Sequence, residues 1–169
     1  MQNVSVNSVD LDVLAREAGA ELARSGAVLV AAESCTGGWI AKVVTDVPGS
    51  SQWFERGFVT YSNEAKIELL GVALATIEAH GAVSEATVRE MARGALARSR
   101  ATISVAVSGV AGPGGGSVEK PVGTVWIAWA WPAGEVARGF LFDGDREAVR
   151  LAAVQAALLG VVSVLRGGI

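Results

Sequence analysis

Apolar residues follow two patterns along the chain, one typical of helices that cover a core and one typical of buried strands. Short continuous apolar runs at 27–32 and 101–107 predict strands that are covered on both faces. Apolar residues at helical spacing, with charged residues between them, predict an amphipathic helix over 10–25; these residues are Leu11, Leu14, Ala18 and Leu22. Each predicted strand runs into a polar, glycine-containing segment.

The remaining pattern predicts helices that alternate with strands. Helices are predicted at 39–45, 63–71, 84–98 and from about 145, a strand at 57–62, and a hairpin formed by 122–131 and 135–142. A short hairpin connection makes its two strands antiparallel. We therefore expect an α/β fold: a three-layer α/β/α sandwich with a mixed, mostly parallel sheet and a late antiparallel hairpin, forming one domain over 1–169.

Three of the five tryptophans lie on the first hairpin strand. Side chains two positions apart on a strand share a face, so Trp129 and Trp131 point one way and Trp126 the other. Some of this ring surface is expected to meet the core and some a partner subunit. We expect a homodimer or a higher homo-oligomer.

Composition narrows the function classes. A length of 169 residues with 51% hydrophobic residues suits one buried core, and a net charge of −3 without basic clusters argues against binding of nucleic acid. The single His80 excludes a multi-histidine metal site, and the single Cys35 excludes an internal disulfide. The first five residues lack the layout of a signal peptide, and the apolar stretch 148–165 is interrupted by charge, so we expect a cytoplasmic protein without a membrane anchor.

Three polar segments follow the predicted strands and are expected to meet, because ligands of such sheets bind at the carboxyl ends of the strands. The segment 48–66 sets hydroxyl groups near Lys66, which suggests serine chemistry with a lysine base. Asn63 is expected to cap the helix that carries Lys66. Burial of this lysine would lower its pKa and suit it to accept a proton. The small residues at 33–38 and 108–116 suit an anion or an oxyanion.

Each of these residues also has an ordinary structural explanation. In this explanation Ser34 or Thr36 would cap a helix, Ser50 and Ser51 would form a turn, and Tyr61 would pack in the core. The loop that begins at Ser108 is a flexible surface loop, and the segment before Arg146 contains an aspartate cap. Cys35 is expected to be a small buried residue without a catalytic role.

Several ungapped motifs together resemble the CinA C-terminal domain family. They cover almost the whole chain in order, and the absence of an additional N-terminal domain suggests the stand-alone form. The motifs are AESCTGG at 32–38, PGSS at 48–51, RGFVTYSNEAK at 56–66, GAVS at 81–84, AVSGVAGPGG at 106–115, KPVGTV at 120–125 and GDR at 144–146.

The resemblance implies a nicotinamide-nucleotide amidohydrolase that needs neither a metal nor a cofactor. It implies deamidation of nicotinamide mononucleotide to nicotinate mononucleotide and ammonia, a step of pyridine-nucleotide salvage. By family spacing, Ser51 rather than Ser50 is the implied nucleophile, with Lys66 as base, Tyr61 as relay or acid and Ser108 as an assisting hydroxyl where the family often has threonine. The implied substrate contacts are Ser34, Thr36, Gly37, Gly38, Gly112, Gly114 and Arg146, the last by charge pairing with phosphate.

Two other functions stay open at this point. The chain could be a non-catalytic nucleotide-binding or regulatory module, because two-domain members of the family are associated with competence and DNA damage. The same site could instead hydrolyse another amide, since the lining of a pocket cannot be read from the sequence.

Overall fold

The computed structural model describes residues 2–3 and 10–168. The expectation about the first five residues concerns mainly Met1, Val4 and Ser5, which lie outside the described residues. The elements are β1 (Gln2–Asn3), α1 (Leu11–Ser25), β2 (Leu29–Glu33), α2 (Trp39–Thr45), a short 3-10 helix (Ser50–Gln52), β3 (Phe54–Val59), α3 (Asn63–Leu70), α4 (Leu74–His80), α5 (Glu85–Ala97), β4 (Ile103–Gly109), β5 (Thr124–Trp131), β6 (Gly134–Leu141) and α6 (Arg146–Leu165).

The strands form one mixed sheet in the order β1-β6-β5-β4-β2-β3. β2 pairs in parallel with β3 and β4, and β1 pairs in parallel with β6. β5 is antiparallel to both of its neighbours. Consequently β2, β3, β4 and β6 all end at the same edge of the sheet, which we call the carboxyl edge; their last residues are Glu33, Val59, Gly109 and Leu141.

Helices cover both faces of the sheet, so the predicted three-layer sandwich is confirmed. On one face α1, α2 and α6 pack on the sheet around Leu29, Val105 and Ile127. On the other face α3, α4 and α5 pack on smaller strand residues, among them Ala106 and Ala128. Small side chains let α5 approach the sheet closely, because no large group separates the two layers.

The tryptophans of β5 lie as their spacing predicted. Trp129 is buried under α6, and its indole N–H donates to the carbonyl oxygen of Ala157 at 2.9 Å. Trp131 packs against the same core, whereas Trp126 packs on the opposite face of the sheet. The indole hydrogen bond satisfies the one polar atom of a fully buried ring, as buried tryptophan requires.

One described helix, α6, is long and apolar enough to cross a membrane when judged by length and composition alone. In this fold it packs against α1, α2, β4 and β5. Its core-facing residues, which include Val149, Val154 and Leu158, are completely buried. The contact with the sheet explains the apolar composition of this helix.

Three local predictions were wrong. The strand predicted at 57–62 is Phe54–Val59, because Ser62 turns the chain and caps α3: its hydroxyl accepts from the N–H of Ala65 at 3.0 Å. Asn63 is therefore the first residue of the helix and not its cap. Ser108, where a loop was predicted to begin, lies inside β4, which extends to Gly109.

Candidate active site

The carboxyl edge carries a cavity of about 240 Å³ between the ends of β2, β3 and β4. This is the edge at which the sequence predicted that the polar segments would meet. The cavity is lined by residues from all three segments and from the start of α6: Ser34, Cys35, Tyr61, Asn63, Lys66, Ala82, Val83, Ser108, Gly109, Ala111 and Arg146.

Lys66 lies at the floor of this cavity. It is the fourth residue of α3, and its side chain is only 1% exposed. Its amine lies 3.0 Å from the hydroxyl oxygen of Ser34 and 2.9 Å from the carbonyl oxygen of Thr60. Burial lowers the pKa of Lys66 from its ordinary value, because a buried ammonium ion loses its hydration. The predicted burial of this lysine is thus confirmed, and its neutral form can accept a proton.

The hydroxyl beside Lys66 belongs to Ser34 and not to Ser51. Ser51 lies in the 3-10 helix that precedes β3, where Phe54 pairs with Leu29 at the beginning of β2. The six residues of β3 separate this position from the carboxyl edge, a length of roughly 20 Å at about 3.3 Å per residue. The predicted pairing of Ser51 with Lys66 is therefore wrong within one chain, and Ser50 is excluded for the same reason.

We call residues 34–38 the 34–38 turn. A buried carboxylate, that of Glu33, binds the backbone where this turn enters α2. Glu33 is fully buried at the end of β2, and its two oxygens accept hydrogen bonds from three backbone N–H groups. The donors are Gly38 at 3.1 Å, Ile40 at 3.0 Å and Ala41 at 2.8 Å. Glu33 thus satisfies the free N–H groups of α2, a task that the sequence had suggested for Ser34 or Thr36.

Replacement of Glu33 by glutamine is expected to destabilise the fold. The amide nitrogen of glutamine cannot accept a hydrogen bond, so at least one buried N–H of α2 loses its partner. Loss of a hydrogen bond to a charged group predicts a decrease in the free energy of unfolding of about 2 kcal/mol. Urea unfolding followed by tryptophan fluorescence measures this difference. The exposed Glu85→Gln, which loses only a surface ion pair to Arg89, should cost less than about 1 kcal/mol; equal losses in the two variants would contradict the prediction.

Cys35 lines the cavity as a buried free thiol. Burial raises the pKa of this thiol from 9.0 to about 11. Since the thiolate is the reactive form, Cys35 is unsuited to attack a substrate near neutral pH. The expectation of a buried residue is confirmed by its position.

The thiol of Cys35 is expected to react slowly with iodoacetamide while the protein is folded. A pKa shift from 9.0 to about 11 lowers the thiolate fraction about 100-fold at about pH 8. We expect the alkylation rate, measured by mass spectrometry, to be lower in the folded protein than in urea by at least that factor. Similar rates in the two states would show that Cys35 is accessible and ionised.

Tyr61 and Arg146 stand together at the mouth of the cavity. The Arg146 guanidinium donates to the hydroxyl of Tyr61 at 3.1 Å and to the carbonyl oxygen of Gly112 at 2.6 Å. Tyr61 is 61% exposed, so the alternative of a core aromatic is wrong. The contact with Gly112 links the glycine-rich loop to the start of α6.

Ser108 also reaches the cavity, from the end of β4. Its side chain is buried, and its hydroxyl donates to the carbonyl oxygen of Ala82 at 2.8 Å. The alternative of a flexible surface loop is therefore wrong for this residue, although the loop begins just after it. A hydroxyl whose proton is already donated in this way can accept a hydrogen bond from a bound group.

The other predicted contacts do not line the cavity; they are Thr36, Gly37, Gly38, Gly112 and Gly114. Gly37 and Gly38 have φ angles of 62° and 95°, a left-handed backbone that glycine adopts without strain. Thr36 is fully buried between Ser34 and these glycines. Gly112 reaches the site only through Arg146, and Gly114 is exposed in the loop and does not line the cavity.

Sequence reasoning missed two groups of this site, Glu33 and Arg150. The signal for Glu33 was an acidic residue between a buried strand and the two glycines that open a helix. The signal for Arg150 was its position four residues after Arg146, which places both side chains on one face of α6.

With Trp39, Asp145 and Glu147, these two arginines line an open groove of about 520 Å³. The groove shares Arg146 with the cavity. The cavity and the groove therefore adjoin at this residue.

Comparison with known proteins gives consistent matches. The family described as CinA C-terminal domain matches residues 11–165. The chain is 57% identical over 150 residues to a protein of Escherichia coli (strain K12) named "Nicotinamide-nucleotide amidohydrolase PncC", with 88% of this chain and 91% of that protein covered. It is also 52% identical over 167 residues to a "Putative competence-damage inducible protein" of Symbiobacterium thermophilum. That match covers 94% of this chain and 39% of the longer relative.

The fold also matches solved structures. The crystal structure of the competence/damage inducible protein CihA from Agrobacterium tumefaciens superposes with a TM-score of 0.90 at 45% sequence identity. The match covers 96% of this chain and 99% of that protein. The α/β fold with its mixed sheet is thus the one seen in these relatives.

Proposed function

The chain belongs to the CinA C-terminal domain family, and on this premise we propose that it deamidates nicotinamide mononucleotide to nicotinate mononucleotide and ammonia. The observation that carries the proposal is the amine of buried Lys66, 3.0 Å from the hydroxyl of Ser34 in a cavity at the carboxyl edge. A hydroxyl beside a lysine of lowered pKa is the arrangement of a Ser-Lys amidohydrolase.

In the proposed reaction Ser34 is the nucleophile. Its hydroxyl oxygen attacks the carboxamide carbon of the substrate while the neutral amine of Lys66 accepts the hydroxyl proton. Lys66 then gives this proton to the amide nitrogen, the C–N bond breaks, and ammonia leaves an ester on Ser34. Water attacks the ester carbon and gives a proton to Lys66, and the C–O bond to Ser34 breaks. Ser34 recovers its proton from Lys66, and nicotinate mononucleotide is released.

The remaining groups of the cavity suit positions around the carboxamide. Tyr61 hydrogen-bonds the departing nitrogen, and its contact with Arg146 orients its hydroxyl. Ser108 accepts from the amide N–H, because its own proton is donated to Ala82. The ribose phosphate extends into the groove along α6, where Arg146 pairs with the phosphate.

The proposal also includes a metabolic role and a cellular compartment. A deamidase of this kind serves pyridine-nucleotide salvage, and a buried free thiol without a disulfide partner suits a reducing cytoplasm. The buried Lys66 gives the alternative of a non-catalytic module no support, because a pure binding site has no need of a desolvated base.

Ammonia release by the purified protein tests the proposal. The amides to be compared are nicotinamide mononucleotide, nicotinamide riboside, nicotinamide and glutamine. We expect the largest kcat/KM for the mononucleotide and a loss of preference over the riboside in Arg146→Met, since that variant cannot pair with phosphate. A preference for an amide without phosphate would overturn the substrate assignment, and binding without turnover would favour the regulatory module.

A further inference from the structure

Arg150 holds the 34–38 turn through two backbone carbonyl groups. Its Nε donates to the carbonyl oxygen of Cys35 at 3.0 Å, and its Nη2 donates to that of Thr36 at 3.0 Å. The guanidinium lies over the Trp39 ring, 5.2 Å from the ring centre. Arg150 is thus fixed on two sides by hydrogen bonds and by stacking, which suits the planar arginine side chain.

The hydrogen-bond partners of this arginine are backbone carbonyl groups and not carboxylates. Within residues 10–168, Arg150 forms no ion pair, whereas Arg89, Arg93 and Arg166 all contact carboxylates. Two donors of Arg150 are instead committed to the two residues that directly follow Ser34. An arginine placed in this way fixes the orientation of the two peptide groups that begin at Cys35 and Thr36.

Glu33 holds the end of the same turn by accepting hydrogen bonds, whereas Arg150 donates them. The Glu33 carboxylate accepts from the N–H groups of Gly38, Ile40 and Ala41, and Arg150 donates to the carbonyl groups before them. Ser34 directly precedes the two residues that Arg150 holds, and its hydroxyl oxygen lies 3.0 Å from the amine of Lys66. Loss of either anchor, Glu33 or Arg150, would leave the hydroxyl free to move away from the base.

We propose that Arg150 is a positioning residue, which holds the 34–38 turn so that Ser34 stays in line with Lys66. This inference rests on the proposed function, since it concerns the same nucleophile. Small displacements of a nucleophile slow the chemical step without changing ground-state binding, so we expect kcat to fall about 100-fold when the anchor is removed. KM should change less than about threefold.

Substrate binding is the competing role for Arg150, because it also lines the groove along α6. A phosphate contact would appear as a rise in KM with little change in kcat. The hydrogen bonds to Cys35 and Thr36 commit two of the five guanidinium N–H donors, and both lead to the turn that carries Ser34, which favours positioning. The two roles therefore predict opposite effects on kcat and KM.

The experiment compares Arg150→Met, Arg150→Lys and the control Arg93→Met in the full chain. Methionine keeps the contact with Trp39 but cannot donate, and lysine keeps the charge but cannot hold both carbonyl groups at once. We expect the methionine variant to lose about 100-fold in kcat, the lysine variant to recover part of the loss, and the control to match the wild type. Arg93 lies at the opposite edge of the sheet, where it contacts Glu135.

Hydrogen exchange supplies a readout that does not depend on activity. In Arg150→Met, amide exchange should accelerate in a peptide that covers 34–41 and stay unchanged over α1 and α5. A rise in KM alone, an unchanged kcat, or faster exchange throughout the molecule with a lowered Tm would each overturn the proposal. A wild-type protein that releases no ammonia would contradict the proposed function, and hydrogen exchange would still decide whether Arg150 holds the turn.

Discussion

Replacement of Ser34 by alanine is expected to abolish the release of ammonia from nicotinamide mononucleotide. Without the hydroxyl no ester forms, and loss of an attacking serine lowers kcat by about 10⁴-fold or more in enzymes of this type. The fold should be unaffected, because alanine is smaller and Lys66 keeps its contact with the carbonyl oxygen of Thr60. Steady-state kinetics with coupled ammonia detection measures the loss.

Ser51→Ala is the matched control for this variant. Ser51 is an exposed serine at the other edge of the sheet, so its removal should leave kcat within about twofold of the wild type. Acid quenching followed by mass spectrometry should find the acyl group on a peptide that contains Ser34. An acyl group on Ser51, or a large loss of activity in Ser51→Ala, would contradict our assignment and would place the nucleophile on a second copy of the chain.

Replacement of Lys66 by methionine is expected to lower kcat/KM about 1000-fold. General-base catalysis contributes factors of this size, and methionine fills a similar volume without accepting a proton. The exposed Lys42→Met, which loses only its contact with Asp46, should retain full activity. Retention of activity in Lys66→Met would exclude this lysine as the base.

The pH dependence gives a second test of Lys66. Only the neutral amine accepts a proton. The kcat/KM of the wild type should therefore rise as the pH approaches the lowered pKa of Lys66 and should be constant above it. The inflection should lie below the ordinary lysine value of 10.5. The residual activity of Lys66→Met should lack this inflection, and a wild-type profile that is flat up to pH 10.5 would contradict the assignment.

Stability should follow the same titration. The pKa of Lys66 is lower in the folded state, so the unfolded chain binds more protons between the folded pKa and the ordinary value of 10.5. The free energy of unfolding of the wild type should therefore rise with pH across this window, relative to Lys66→Met. Urea unfolding at a series of pH values measures the difference.

Local patterns in the sequence correctly predicted the helices and strands whose apolar residues recur regularly or form a continuous run. The amphipathic spacing of α1 and α5 and the buried runs of β2 and β4 needed no tertiary information, because burial on one face or on both faces leaves a direct trace in the sequence. The strand before Lys66 was predicted too far along the chain, at 57–62, because no glycine or proline after Val59 marks its end. Helix α4 was missed because the residue before it, Ala73, is not a polar capping residue that would mark the start of a helix.

The candidate site was predicted in outline but not in its central pair. Both Ser34 and Lys66 were identified, and the segments that carry them were expected to meet at the carboxyl edge. Their partnership was missed because Ser51 is closer to Lys66 along the chain than Ser34 is. Separation along the chain says little about distance when a strand of six residues lies between two positions.

The sequence by itself determined the α/β class, the family resemblance and the set of polar residues, since these depend on composition, periodicity and ungapped motifs. Only the tertiary structure decided which hydroxyl meets the lysine and how the turn around it is held. Parallel pairing of β2 with β3 and β4 brings Ser34, Lys66 and Ser108 to one edge and sends Ser51 to the other. The anchors Glu33 and Arg150 meet the same turn across 117 positions (150 − 33) of the chain, and a contact of that range arises only from the packing of α6 on the sheet.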